Sequence, residues 1–201
     1  MANHVLLDNI SHKDLKVITT RGANWGDNIS CATVFPSEFA KVQANQPIVF
    51  RKHPQTGQFE ALALFGFENG ENLLLNEQGE LQLSYLPLSM QRQPFLIGQQ
   101  TQYNNGIPEQ SLVVHIDLDS PRISTHDGEA IFLEHGGNSE YLNHIAQVLN
   151  ALHQEHQTIN QFFERLLSVN LLEAFSIEYA DKNGEKVTVS GFYTINQQVL
   201  N

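Results

Sequence analysis

The sequence predicts an α+β protein with a mainly antiparallel sheet. Three observations lead there. Short β-prone runs separated by turn residues follow one another through residues 48–86. Apolar residues from Tyr141 onward recur at helical spacing. Beyond residue 176 the chain reads as a hairpin. Strands first, then helices, then a closing hairpin is the order of an α+β fold. No internal repeat or linker divides the chain, so a single domain over 1–201 is expected.

The first 30 residues are polar and irregular, with Gly22, Trp25 and Gly26 interrupting any periodicity. Phe35-Pro36-Ser37-Glu38-Phe39 reads as a helix start with Ser37 as the cap. An N-terminal meander is then expected: Ile48–Phe50, Phe59–Phe67, Leu73–Leu75 and Leu81–Leu86, with turns at Pro54–Gly57, Asn69-Gly70 and Gln78-Gly79. Pro87–Pro94 suggests a helical turn. Gln99–Gln110 suggests a loop or lid.

Ser111–Leu118 is a clear strand. Val114, Ile116 and Leu118 fall on one face and Val113, His115 and Asp117 on the other. From about 139 to 170 a helical pair, or one bent helix, is expected. Tyr141, Leu142, Ile145, Val148, Leu149 and Leu152 carry its first part. Ile159, Phe162, Phe163, Leu166 and Val169 carry its second, behind a capping box at Thr158 and Gln161. Ser176–Ala180 and Lys186–Thr194 close the chain as a hairpin.

Charge restricts the partners. The 201 residues carry 11 basic and 22 acidic side chains, a net charge of −11. Residues 1–52 hold six Lys/Arg against four Asp/Glu, residues 53–164 two against fourteen, and residues 165–201 three against four. The acidic excess therefore lies in the middle, and such a surface repels phosphate backbones and anionic lipid, so no nucleic acid partner is expected. No run approaches the length of a membrane span, and the N-terminus has neither basic n-region nor apolar signal run. A cytoplasmic location is the expectation. The lone Cys31 excludes an intrachain disulfide and, among Ile29, Ala32 and Val34, reads as a small buried hydrophobe.

Two kinds of site are legible. His115 and Asp117 are alternate residues of one strand, roughly 6.5–7 Å apart on one face. A His and a carboxylate so placed supply two ligands of a 2-His-1-carboxylate metal site. The third ligand must come from elsewhere, with His126, His135, His144, His153 and His156 as candidates, yet the later strands contain no His. His153 and His156, at i, i+3, form a second possible metal pair. The other kind is a binding surface. Arg21, Trp25, Arg51, Arg92 and Arg122 are the candidates: Trp25 as a rigid amphipathic group in an irregular segment, Arg51 at a strand end, and Arg122, after a proline in an acidic region, as the partner of a nearby carboxylate. No P-loop, dinucleotide fingerprint or nucleophile elbow occurs, and no cofactor is expected.

Several stretches resemble the SapC family of bacterial proteins: Ser11–Val17, Val34–Phe39, Gln46–Lys52, Ala61–Leu64 running to Gly70–Leu73, Pro94–Gly98, His115–Ile123 and Gly191–Ile195. The match runs nearly the whole chain in order. The resemblance implies an association with a surface-layer gene cluster and with neighbouring genes for flavin-dependent halogenases, cupin-like oxygenases and TonB-dependent receptors. In relatives a further helical stretch follows the segment matching Tyr193–Asn196, and without it an apolar face is expected to be uncovered. The resemblance transfers no catalytic residues. The first expectation is thus a non-enzymatic accessory or binding protein for a peptide, protein or small ligand, gripping with Arg21, Trp25 and the 99–110 segment beside halogenase, oxygenase or receptor systems. The alternatives are a metal-dependent oxygenase or hydrolase using His115 and Asp117, and a surface-layer or secretion component.

Overall fold

A computed structural model of the chain describes residues 3–104, 107–180 and 183–200. In chain order the elements are β1 (His4–Leu6), β2 (Lys16–Val17), a 3-10 turn (Ala23–Trp25) and β3 (Cys31–Val34). A second 3-10 turn (Pro36–Glu38) runs into α1 (Phe39–Val42), followed by β4 (Ile48–Lys52), β5 (Phe59–Leu64) and α2 (Leu88–Gln91). Then come β6 (Phe95–Asn104), β7 (Ile107–Asp117), β8 (Ile123–Ser124), β9 (Glu129–Ala130) and α3 (Glu140–Ser168). The chain closes with β10 (Leu172–Ala180), β11 (Lys186–Ile195) and α4 (Gln197–Leu200). The fold is α+β, and every strand pair is antiparallel. Its residues form two units.

The first unit takes the chain through Asn28, Leu75–Gln82 and Leu88–His153. It holds two three-stranded sheets, ordered β1-β7-β6 and β8-β2-β9. The alternation in β7 does what the sequence requires of it. Val114, Ile116 and Leu118 turn inward against Phe95, Ile97, Ile131, Leu142, Ile145 and Leu149, burying apolar area at roughly 25 cal/mol per Å². Val113, His115 and Asp117 fall on the opposite face. Ser139 caps α3, its hydroxyl accepting the Leu142 N–H at 3.1 Å.

The second unit takes Ile29–Leu74, Leu83–Pro87 and the described chain from Gln154 on. Its sheet is ordered β10-β11-β4-β5-β3. Val49, Leu62, Leu64 and Phe192 form a buried cluster, with Cys31 half-buried against it. Beside it the rings of Phe39, Phe50, Phe59, Phe162, Phe163 and Tyr193 meet in a chain of mostly edge-on contacts 5.0–6.3 Å between centroids.

Several elements differ from the expectation. Leu73–Leu75 and Leu81–Leu86 form no strands beyond an isolated bridge, Leu75↔Leu81. Asparagine side chains take the backbone N–H groups a ladder would need: Asn72 Oδ1 accepts from Leu74, and Asn76 Oδ1 from Gln78 and Glu80. The segment 99–110 is not a lid. Its described residues are the ends of β6 and β7, paired in register from Gln99↔Leu112 through Asn104↔Ile107; residues 105–106 lie outside the described residues. Its polarity reflects exposure of Gln99, Gln100, Thr101 and Gln110, since strand pairing asks only for backbone groups.

The segment from 139 to 170 is a single 29-residue helix, α3. Thr158 lies inside it and donates its hydroxyl to the carbonyls of Glu155 at 3.2 Å and Gln154 at 3.4 Å, so it back-bonds instead of capping. At Pro36, the cap contact comes from Glu38, whose Oε2 accepts the Phe35 N–H at 3.2 Å, and not from Ser37.

Candidate functional site

The site is assembled within the first unit around one buried carboxylate. Asp27 is 0% exposed. Its Oδ2 accepts Arg122 Nη2 at 2.8 Å and the Gly22 N–H at 2.7 Å, and its Oδ1 accepts Arg21 Nη1 at 3.1 Å. Arg122, 2% exposed, spends Nη1 on the carbonyls of Ile18 at 3.1 Å and Thr20 at 2.9 Å. Arg21 also donates to Gln93 Oε1 at 3.1 Å and to the Met90 carbonyl at 2.5 Å. Guanidinium forks suit this role because each satisfies several acceptors in fixed geometry. The network ties an otherwise irregular N-terminal stretch to the segments carrying Gln93 and Arg122.

Trp25 rides on this frame. It ends the 3-10 turn, and Gly26 follows in the left-handed region at φ 86°, a conformation glycine adopts without a Cβ penalty. The turn leaves the indole half-exposed. It forms one wall of a cleft of about 440 Å³, with Pro94, Leu96 and Pro121 as apolar lining and Arg92, Arg122, Asp117 and Asp119 as charged lining. That volume falls in the range of small-ligand sites, roughly 300–1,000 Å³.

Arg92 donates Nη1 to the Phe95 carbonyl at 2.7 Å and forms no ion pair among the described residues. Burial lowers its pKa below the ordinary arginine value. Burial and then the neighbouring Arg122 charge lower that of Arg21, against the opposing pull of Asp27. Burial raises the Tyr141 phenol to about 12, although both Arg21 and Arg122 pull it down.

Of the residues singled out in the sequence, Trp25, Arg92 and Arg122 line this cleft. Arg21 stands behind it as a support through Asp27 and Gln93. Arg51 belongs to the second unit, where Nε and Nη2 both donate to Glu60 Oε1 at 3.0 and 2.7 Å. Arg122 pairs with a carboxylate, but with Asp27, 95 positions away, and not with one nearby in the sequence. Residue type alone does not mark Asp27, Gln93, Pro94 or Pro121 as site residues; the signal for Asp27 is an acidic residue closing a Trp-Gly turn.

His115 and Asp117 share a sheet face, and each has neighbours on other segments. The His115 ring lies over Gly98 on the neighbouring strand, where any Cβ would collide with it. Asp117 Oδ1 accepts the Asn3 N–H at 3.0 Å and the Asp119 N–H at 3.2 Å, while Oδ2 faces His4 Nε2 at 3.9 Å. Asp117 thereby closes the end of β7 as a turn acceptor. Among the described residues no three His, Cys, Asp or Glu side chains converge. His156 packs edge-on against Phe35, 4.9 Å between centroids. No described helix is long and apolar enough to cross a membrane.

Fold and cleft together define an α+β protein with antiparallel sheets and an arginine- and tryptophan-walled cavity. The SapC family model matches residues 7–201, and the chain belongs to the SapC family. No curated protein and no solved structure matches it.

Proposed function

We propose that the chain is a ligand-binding accessory protein, and that the cleft beside Trp25 is where it holds a peptide, a protein segment or a small molecule. One observation carries the reading. The only tryptophan of the chain is held half-exposed at a cavity wall by a buried Arg21–Asp27–Arg122 network. A frame of that kind fixes a rigid aromatic contact before the ligand arrives, which lowers the entropy cost of binding. The groups around it suit gripping: the buried charges are spent on one another and on backbone carbonyls. The family resemblance makes halogenase, oxygenase or TonB-receptor systems the setting for such a role.

Trp25 is its own reporter. Titration with a pool of short apolar tripeptides with free ends is expected to shift its fluorescence saturably. Trp25→Phe is expected to keep the thermal midpoint and to weaken binding measured by calorimetry about tenfold. A flat titration by both fluorescence and calorimetry contradicts the reading.

A further inference from the structure

Resting on that reading, the cleft can be assigned a ligand chemistry. Three guanidiniums stand at or behind it, and the one buried carboxylate among them, Asp27, is shared by two. The third, Arg92, gives one nitrogen to the Phe95 carbonyl and has no carboxylate partner among the described residues. Arg92 is thus the cationic group of this cavity wall with no acidic partner among the described residues. Arg92 is half-buried, and partial desolvation of a guanidinium without a counter-ion carries a cost. An anion arriving in the cleft removes that cost, and a planar carboxylate matches the fork that Arg92 still offers.

The rest of the lining narrows the choice. Asp117 and Asp119 stand at the same cavity. The first is stabilised by two backbone N–H groups, while the Asp119 carboxylate is exposed. Two carboxylates there disfavour a doubly charged phosphate and tolerate a single negative charge. Trp25, Pro94, Leu96 and Pro121 offer an apolar surface for the body of the ligand. We infer that the cleft binds a monoanionic carboxylate attached to an apolar or aromatic body, with Arg92 pairing the carboxylate and Trp25 covering the body. Such a carboxylate is found on a small organic acid or at the C-terminus of a peptide.

Hippurate, an aromatic ring joined through an amide to a single carboxylate, is a suitable probe, with hippuramide as its uncharged control. Calorimetry is expected to show hippurate binding at least tenfold tighter than hippuramide. Arg92→Gln is expected to remove that preference, and Arg92→Lys to keep part of it. The comparison of hippurate with hippuramide needs no variant, so a misfolded Arg92→Gln protein leaves the inference open to refutation. A parallel arm compares Ala-Ala-Phe with its C-terminal amide. Tighter binding of the tripeptide acid than of hippurate assigns the carboxylate to a peptide end, and the reverse order assigns it to a small acid. Equal binding of acid and amide in both pairs overturns the carboxylate assignment and leaves the cleft as a binding site. No binding of any of the four compounds overturns the cleft reading as well.

Discussion

The two units of this chain each bury an apolar cluster but differ in what else orders them. In the first, the long-range order of an irregular segment comes from a buried ionic network, Arg21–Asp27–Arg122, with its spare donors on backbone carbonyls. In the second, aromatic rings from α1, β4, β5, the end of α3 and β11 pack on one another. Its Arg51–Glu60 pair is partly exposed. Aromatic packing contributes through buried area and close ring contacts. A buried ion network is geometrically demanding and contributes less net stability, but it fixes where each group stands. The cleft with Trp25 lies in the first unit, the one that holds the ion network.

That contrast can be broken at its strongest point first. Asp27→Ala strips the shared carboxylate from the buried Arg122 and the partly buried Arg21. The expected loss is about 4–5 kcal/mol of unfolding free energy, close to the whole stability of a marginal domain. Chemical denaturation measures it, and a loss below about 1 kcal/mol refutes the central place given to Asp27. Phe163→Ala, in the aromatic unit, is expected to cost about 3–4 kcal/mol by leaving a cavity among Phe50, Phe59 and Phe162. Where the variant remains folded, the fluorescence of Trp25 should be unchanged. A shifted Trp25 spectrum in folded Phe163→Ala protein would show that the aromatic cluster also sets the cleft. Arg51→Ala is expected to change stability by less than about 1 kcal/mol, because its ion pair is solvated. Hippurate affinity should be untouched by it, and a tenfold weakening would return Arg51 to the binding surface.

How much of this was legible in the sequence follows the same division. Patterns set by local periodicity were readable: the alternation that buries Val114 and Ile116, the helical spacing through α3 and the β10–β11 hairpin. What depended on exposure or on partners far along the chain was not. Gln99–Asn104 forms a strand whose polarity resembles a loop, and the Leu73–Leu75 run is diverted by Asn72 and Asn76. For the site, Trp25, Arg92 and Arg122 stood out by residue type alone. The pairing of Arg122 with Asp27 did not, since no local pattern links residues so far apart. His115 and Asp117 share the face that alternation predicted, yet Gly98 and the Asn3 N–H, which occupy them, lie on other strands and segments.

The central claim is that the preassembled cleft at Trp25 is where this protein binds. Residue-resolved amide and indole NMR shifts recorded during hippurate titration test it most directly. The account predicts saturable shifts concentrated at the Trp25 indole, Gly26, Arg92, Leu96 and Ser120. Shifts gathered instead around His53, Phe59 and Asn160, which line a second cavity of about 330 Å³ in the other unit, would contradict it.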